Sequence, residues 1–498
     1  MISKKNQIKN KYYLIFFLFF ITFGYFFQGG GWNQNTRICL TRAIIHQQSF
    51  IIDAYKEDSR DPYFEFVNTG DWSFKDGHYY TNKSPGLSIL AIPSFALTEF
   101  FVKNLSRADS EKQVHLSSYA GTLCTTVIFA SLLAVLIFHV CNFFFGFSNP
   151  QSLLLTILCS MGTLLFSYST TFYCHLPSAF FSVLSFVLTM HIKHGTFHKK
   201  YLLGGGSGLA ASIAVLIEPS TVFALSCIFI YLLSFRDGRK VVLFFLLGCI
   251  PAGALQLFYN DACFGSPLQS GYNFPNPDVM WYRQGKLFGF PNPSKLVKLL
   301  FFPYRGIFFS SPILLMTIPG TFLLLKVKKW RCETLTCLAI SFVFLIFIAC
   351  FYAWHGGSAA GPRYLLPAYP FAFLLTIFAL KKIPKTYIAL GIFSVIINLS
   401  ITLIGNEIPR EIKNPLIDVV WSNILKGNVS INPTPISNFK NHPDIYKLSN
   451  LESWGYNFNS FNLGEIFFPN QITSLLPLLC FWIIWALIWL KLSKPPNL

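Results

Sequence analysis

Apolar runs close to twenty residues long recur from residue 12 to residue 490, each long enough to cross a bilayer as a helix. A water-soluble fold could not bury them all. In lipid every backbone N–H and C=O must find a partner inside the protein, so such runs become helices. The runs lie at 12 to 28, 117 to 140, 152 to 170, 176 to 192, 202 to 217, 220 to 235, 241 to 259, 308 to 325, 333 to 352, 364 to 380, 386 to 404 and 471 to 490, about twelve in all. The expected fold class is therefore an all-α integral membrane protein. Composition agrees, with 53% hydrophobic and only 12% charged residues. It excludes a soluble enzyme, a secreted disulfide scaffold and a nucleic-acid binder, since the net charge of +18 includes no basic tract of nucleic-acid type.

Topology accounts for that charge, because cytoplasmic loops collect Lys and Arg. With both termini cytoplasmic, the short inner segments hold 19 basic residues, Lys199, Lys200, Arg239, Lys240, Lys328, Lys329, Lys381 and Lys382 among them, against two acids, Asp237 and Glu333. The apolar stretch Leu87 to Leu105 does not span in this scheme, since crossing there would turn every later basic loop outward. It carries Glu99, Lys103 and Pro93 and reads as a helix lying on the outer interface. Lys4, Lys5, Lys9 and Lys11 ahead of the first apolar run, with no small-residue cleavage site after Phe27 and Gln28, read as an uncleaved signal anchor. The 12 cysteines are scattered through the spans without a CxxC pair and read as packing residues.

Three outer segments are long, 29 to 116, 260 to 307 and 405 to 470, and function is expected there. By domain, residues 1 to 404 form the transmembrane catalytic module with 29 to 116 as its first external loop. Residues 405 to 470 form a further external region, and 471 to 498 the last crossing and a cytoplasmic tail. The first loop begins with Gly29, Gly30, Gly31, Trp32, Asn33, Gln34 and Asn35, followed by a short amphipathic helix around Arg37, Leu40, Ala43 and Ile44. Then come Ile51-Ile52-Asp53, Gly70-Asp71-Trp72, and a turn from Lys75 through Asp76, Gly77, His78 and Tyr80 to Lys83, Ser84 and Pro85.

These residues resemble the GT-C superfamily of polyprenyl-phosphate-sugar-dependent glycosyltransferases, which includes protein O-mannosyltransferases and lipid A aminoarabinose transferases. Arg37 is similar to the Arg of that superfamily's interfacial helix. Tyr80, Lys83, Pro85 and Leu87 look like the motif whose Lys contacts lipid phosphate. The likeness is best over residues 25 to 95, and the segments 304 to 312 and 352 to 367, the second holding Arg363, extend it to about 380. Two departures stand out. Gln34 and Asn35 occupy the place of the superfamily's acidic pair, and Glu218-Pro219 stands at a turn where a Lys is common.

The chemistry the resemblance implies needs a base for the acceptor proton, cations for the departing phosphate and a cleft at the bilayer surface. Asp53 and then Asp71 are the candidate bases, each in an apolar or aromatic setting, with a cap or Asx turn as the structural alternative. Lys83, Arg363, Arg37 and His175 are the candidates for holding the lipid phosphate, with snorkelling to headgroups the alternative for Lys83. Glu218, Asp76 and His78 are supporting residues: Glu218 as a membrane-depth charge that needs a partner, Asp76 as a turn former. Glu57, Asp58, Asp61 and Glu65 interleave with Lys56 and Arg60 and read as a solvated charged face. No P-loop, GxGxxG turn or HExxH is present; no metal or other cofactor is assigned, and a divalent cation stays open.

The sequence thus points to a membrane glycosyltransferase of GT-C type, moving a sugar by an inverting displacement from a polyprenyl-phosphate carrier to a lipid or glycan acceptor. Its place would be a bacterial inner membrane, with the active site facing outward, membrane lipids as neighbours and no nucleic-acid partner. The rivals are a lipid or glycan transporter, for which Glu218 and His175 would line a pathway, and a catalytically inactive relative.

Overall fold

The computed structural model describes residues 4–29, 31–55, 69–105, 110–195, 199–276, 287–430, 459–468 and 471–493. The charged stretch 56 to 65 and residues 431–458 of the last segment expected to be external lie outside the described residues. Helices dominate, and the strands form two separate two-stranded antiparallel pairs, Phe26–Gly29 with Asn459–Asn462 and Trp72–Lys75 with His78–Thr81.

Eight helices among the described residues are long and apolar enough to cross a membrane: Gln113–Phe144, His175–Lys193, Lys200–Ile217, Val242–Phe264, Lys328–Cys350, Arg363–Lys382, Pro384–Ile404 and Ile472–Leu492. The other four expected crossings differ in form. Asn10–Gly24, Pro219–Leu233 and Pro312–Lys326 are shorter apolar helices, and the run at 152 to 170 is broken into Asn149–Ser160 and Leu165–Ser169. Hydropathy detects apolar runs but not the breaks within them. Only 17% of the apolar windows of Val242–Phe264 and Ile472–Leu492 is buried within the protein, so both offer their sides to lipid.

Between apolar helices lipid supplies no hydrophobic drive, so close backbone approach must hold them together. At Gly208 a Cβ would fall 1.9 Å from the Phe245 carbonyl oxygen, and at Gly248 2.1 Å from that of Gly205, so these glycines let Lys200–Ile217 lie directly against Val242–Phe264.

The first loop folds onto one end of this bundle. Its helix Trp32–Arg42 packs along Gly86–Leu105, with Thr41 Oγ1 donating to the Ser88 carbonyl at 3.1 Å and Ser88 Oγ to the Arg37 carbonyl at 3.0 Å. Glu99, in the stretch expected to lie on the interface, accepts from Arg42 and sits 2.6 Å from His46. The hairpin Trp72–Thr81 turns at Asp76 and Gly77, whose φ values of 53° and 86° suit the two-residue turn that matches strand twist.

Candidate active site

A cavity of about 460 Å³ opens where the first loop meets the bundle. It lies at the ends of five long apolar helices, since His175 and Arg363 begin two of them while Glu218, Phe351 and Glu407 follow the ends of three others. Its lining joins apolar side chains, Phe288, Phe347, Ile348 and Phe351 among them, to a set of charged ones.

Three cations reach it. The Lys83 ammonium lies 3.2 Å from Asp71 Oδ2, the aspartate buried and the lysine partly so, and 5.6 Å from the centre of the Tyr272 ring. Arg37 donates through one terminal nitrogen to Asn33 Oδ1 at 2.6 Å and to the Asn33 carbonyl at 2.9 Å. Arg363 donates to the Tyr173 hydroxyl at 2.6 Å, and its guanidinium stacks 4.9 Å from the Tyr173 ring centre. The Nε atoms of Arg37 and Arg363 are buried without a hydrogen-bond partner among the described residues. Buried donors left unpaired are costly, and an anion in the cavity would satisfy them.

His175 and Glu218 pair with each other. His175 Nδ1 is 2.9 Å from Glu218 Oε2, which also accepts from Ser178 Oγ at 3.0 Å, while Ser220 Oγ donates to Oε1 at 3.2 Å. Partners on neighbouring helices are how membrane-depth charges are tolerated. Cys174 joins them to make the one group of metal-donor atoms found among the described residues, all within 4.8 Å of one another. Sequence spacing could not reveal it, because Glu218 is far from the other two in the chain. The hydrogen bonds already satisfy the pair without a cation.

Six of the candidate residues, Asp71, Lys83, Arg37, Arg363, His175 and Glu218, therefore line one cavity. Asp53, Asp76 and His78 do not. Asp53 accepts from the Tyr79 backbone N–H at 2.7 Å and lies 2.8 Å from His78 Nδ1, bracing the hairpin; Asp76 sits exposed at the hairpin turn. The apolar Ile51-Ile52-Asp53 run suggests a desolvated base, yet the carboxylate turns to the hairpin. Asp53→Asn is thus expected to leave donor turnover within about twofold, whereas Asp71→Asn, which frees Lys83 from its partner, lowers it about tenfold or more. Equal losses in a purified transfer assay would contradict this placement.

Three residues missed by sequence reasoning also line the cavity: Tyr173, Tyr272 and Glu407. Tyr173 adjoins His175 and was within reach of that signal. Glu407 carried none. The loop that presents Arg363 is fixed by Arg305, fully buried, which donates to the carbonyls of His355 at 2.7 Å, Tyr304 at 2.8 Å and Gly357 at 2.9 Å.

No protein-family model and no curated protein matches the chain. Among solved structures it is similar to ArnT from Cupriavidus metallidurans bound to undecaprenyl phosphate, with a TM-score of 0.51 and 10% identity over 80% of this chain. The match spans 64% of that protein's length. The apo form of the same ArnT gives a TM-score of 0.48 at 12% identity, covering 82% of this chain and 67% of that one. The Archaeoglobus fulgidus oligosaccharyltransferase in its apo form gives 0.40 at 12% identity, covering 80% and 54%. At such identity the likeness is one of fold alone, the polytopic membrane fold that this ArnT structure shares.

Proposed function

We propose that the protein is a membrane glycosyltransferase that takes a sugar from a polyprenyl-phosphate donor bound in this cavity. The observation that carries the reading is the convergence of Lys83, Arg37 and Arg363 with the carboxylates of Asp71 and Glu407 in one cavity that apolar side chains also line. The cations suit a phosphodiester and take up charge as polyprenyl phosphate departs. The apolar side chains suit the lipid's hydrocarbon, and a carboxylate can take the acceptor proton. ArnT, bound to undecaprenyl phosphate, has the same fold, which supports a donor of that class.

The cavity lies at the end of the bundle away from Lys193, Lys200 and Lys328, so the positive-inside rule supports an outward-facing site and cytoplasmic basic loops. Cysteine introduced at Asp76, exposed at the hairpin tip, is expected to react with an impermeant thiol reagent applied outside intact cells, and cysteine at Lys199 only after permeabilisation. The reverse pattern would invert the topology.

Function is tested with the full chain in nanodiscs, supplied with undecaprenyl-phosphate-linked sugars and host membrane lipid as acceptor. Release of undecaprenyl phosphate with sugar transfer is expected. Movement of the intact donor between leaflets without cleavage would support the transporter reading instead.

A further inference from the structure

Glu407 stands apart from every motif, in the segment after Pro384–Ile404, yet it is held tightly. Its neighbour Asn406 donates its backbone N–H to Gln28 Oε1 at 2.8 Å and its side-chain amide to the Ser167 carbonyl and Thr171 Oγ1, both at 2.8 Å. This anchoring sets the Glu407 carboxylate against the start of the helix Trp32–Arg42. At Gly31, the residue capping that helix, a Cβ would fall 2.7 Å from Glu407 Oε1, so the end of the glycine run makes room for the carboxylate. The Gln34 amide faces this carboxylate, at the position where the resemblance calls for an acidic pair and Gln34 and Asn35 stand instead.

We propose that Glu407 is the general base of the transfer, supplying from the last outer segment the carboxylate that Gln34 and Asn35 do not, while Asp71 positions Lys83. This rests on the glycosyltransferase reading above. Tyr173 donates its hydroxyl to Glu407 Oε1 and in turn accepts from Arg363, which fixes the carboxylate and ties it to the phosphate-side cation. Asp71, by contrast, is already engaged by the Lys83 ammonium at 3.2 Å.

In the step, the acceptor hydroxyl oxygen forms a bond to the anomeric carbon as the bond from that carbon to phosphate oxygen breaks. The bonding pair leaves on polyprenyl phosphate. The acceptor proton passes to Glu407 and from there to water once products depart.

The groups facing Glu407 are Tyr173, Tyr168, Asp71, the Gln34 amide and Arg363 at 4.0 Å. Burial first, and then the Asp71 charge, push its carboxyl up to about 8, with the Gln34 amide pulling it down. A base works deprotonated, so turnover is expected to rise as pH climbs through about 8 and to level off above it.

The test uses the full chain in nanodiscs with a panel of undecaprenyl-phosphate sugars, measuring turnover from pH 6 to 10 and, separately, binding of undecaprenyl phosphate. Glu407→Gln is expected to bind the lipid within about threefold of wild type, to lose about 10²-fold or more in turnover and to lose the limb near pH 8. Glu407→Asp should keep that limb at reduced rate. The proposal is overturned if Glu407→Gln keeps the wild-type rate and limb, or if lipid binding falls as far as turnover. A wild-type protein that neither binds undecaprenyl phosphate nor cleaves any donor overturns the glycosyltransferase reading, and this proposal with it.

Discussion

Lys83→Ala and Arg363→Ala are each expected to weaken undecaprenyl-phosphate binding tenfold or more, while Lys328→Ala leaves it unchanged. A charge-assisted contact to phosphate contributes about 1.5 to 3 kcal/mol, which sets the tenfold floor. Each loss also leaves a carboxylate behind. Without Lys83 the buried Asp71 loses its partner at 3.2 Å and repels the incoming phosphate; without Arg363, Tyr173 and Glu407 lose the cation beside them. Lys328 begins the helix Lys328–Cys350, whose far end meets the cavity, so it controls for a general change of charge. Equilibrium binding in nanodiscs checks this, and equal effects from all three substitutions would refute the phosphate site.

Arg305→Ala is expected to be the most destabilising single change, although Arg305 is not among the residues lining the cavity. The guanidinium is fully buried and donates to three backbone carbonyls, two of them, His355 and Gly357, in the loop leading to Arg363. Truncation leaves those acceptors unpaired and opens a cavity, a loss of at least about 3 kcal/mol. Gly356 and Gly357 hold φ values of 75° and 68°, so the loop turns there in the left-handed region that glycine adopts without strain. Thermal unfolding in detergent should show a lowered midpoint, and protein that remains folded should bind undecaprenyl phosphate as poorly as Arg363→Ala. An unchanged midpoint with full binding would contradict the bracing role.

The fold was legible because hydropathy in lipid leaves few alternatives to helices. Where helices break, as at 161 to 164 and around Pro312, the apolar run continues through the break, and the sequence shows one span where the structure has pieces. Of the residues lining the cavity, motifs singled out Lys83, Arg37 and Arg363, and the need of membrane-depth charges for partners singled out His175 and Glu218. Their pairing with each other was not legible, since no periodicity links helices separated in the chain. That Asp53 lies off the cavity was hidden for a related reason. Its apolar neighbours signal desolvation, but the hairpin that claims its carboxylate is a contact with Tyr79 and His78. Glu407 was out of reach altogether, because only the folded chain brings it to Gly31.

The most direct test of the account is a cryo-electron microscopy structure of the full chain in nanodiscs with undecaprenyl phosphate. The account predicts the phosphate inside the cavity, within hydrogen-bonding reach of the Lys83 ammonium and the Arg37 and Arg363 guanidinium groups, with the lipid chain running along Phe288, Phe347 and Phe351. Lipid phosphate bound midway between the helix ends, away from all three cations, would contradict it.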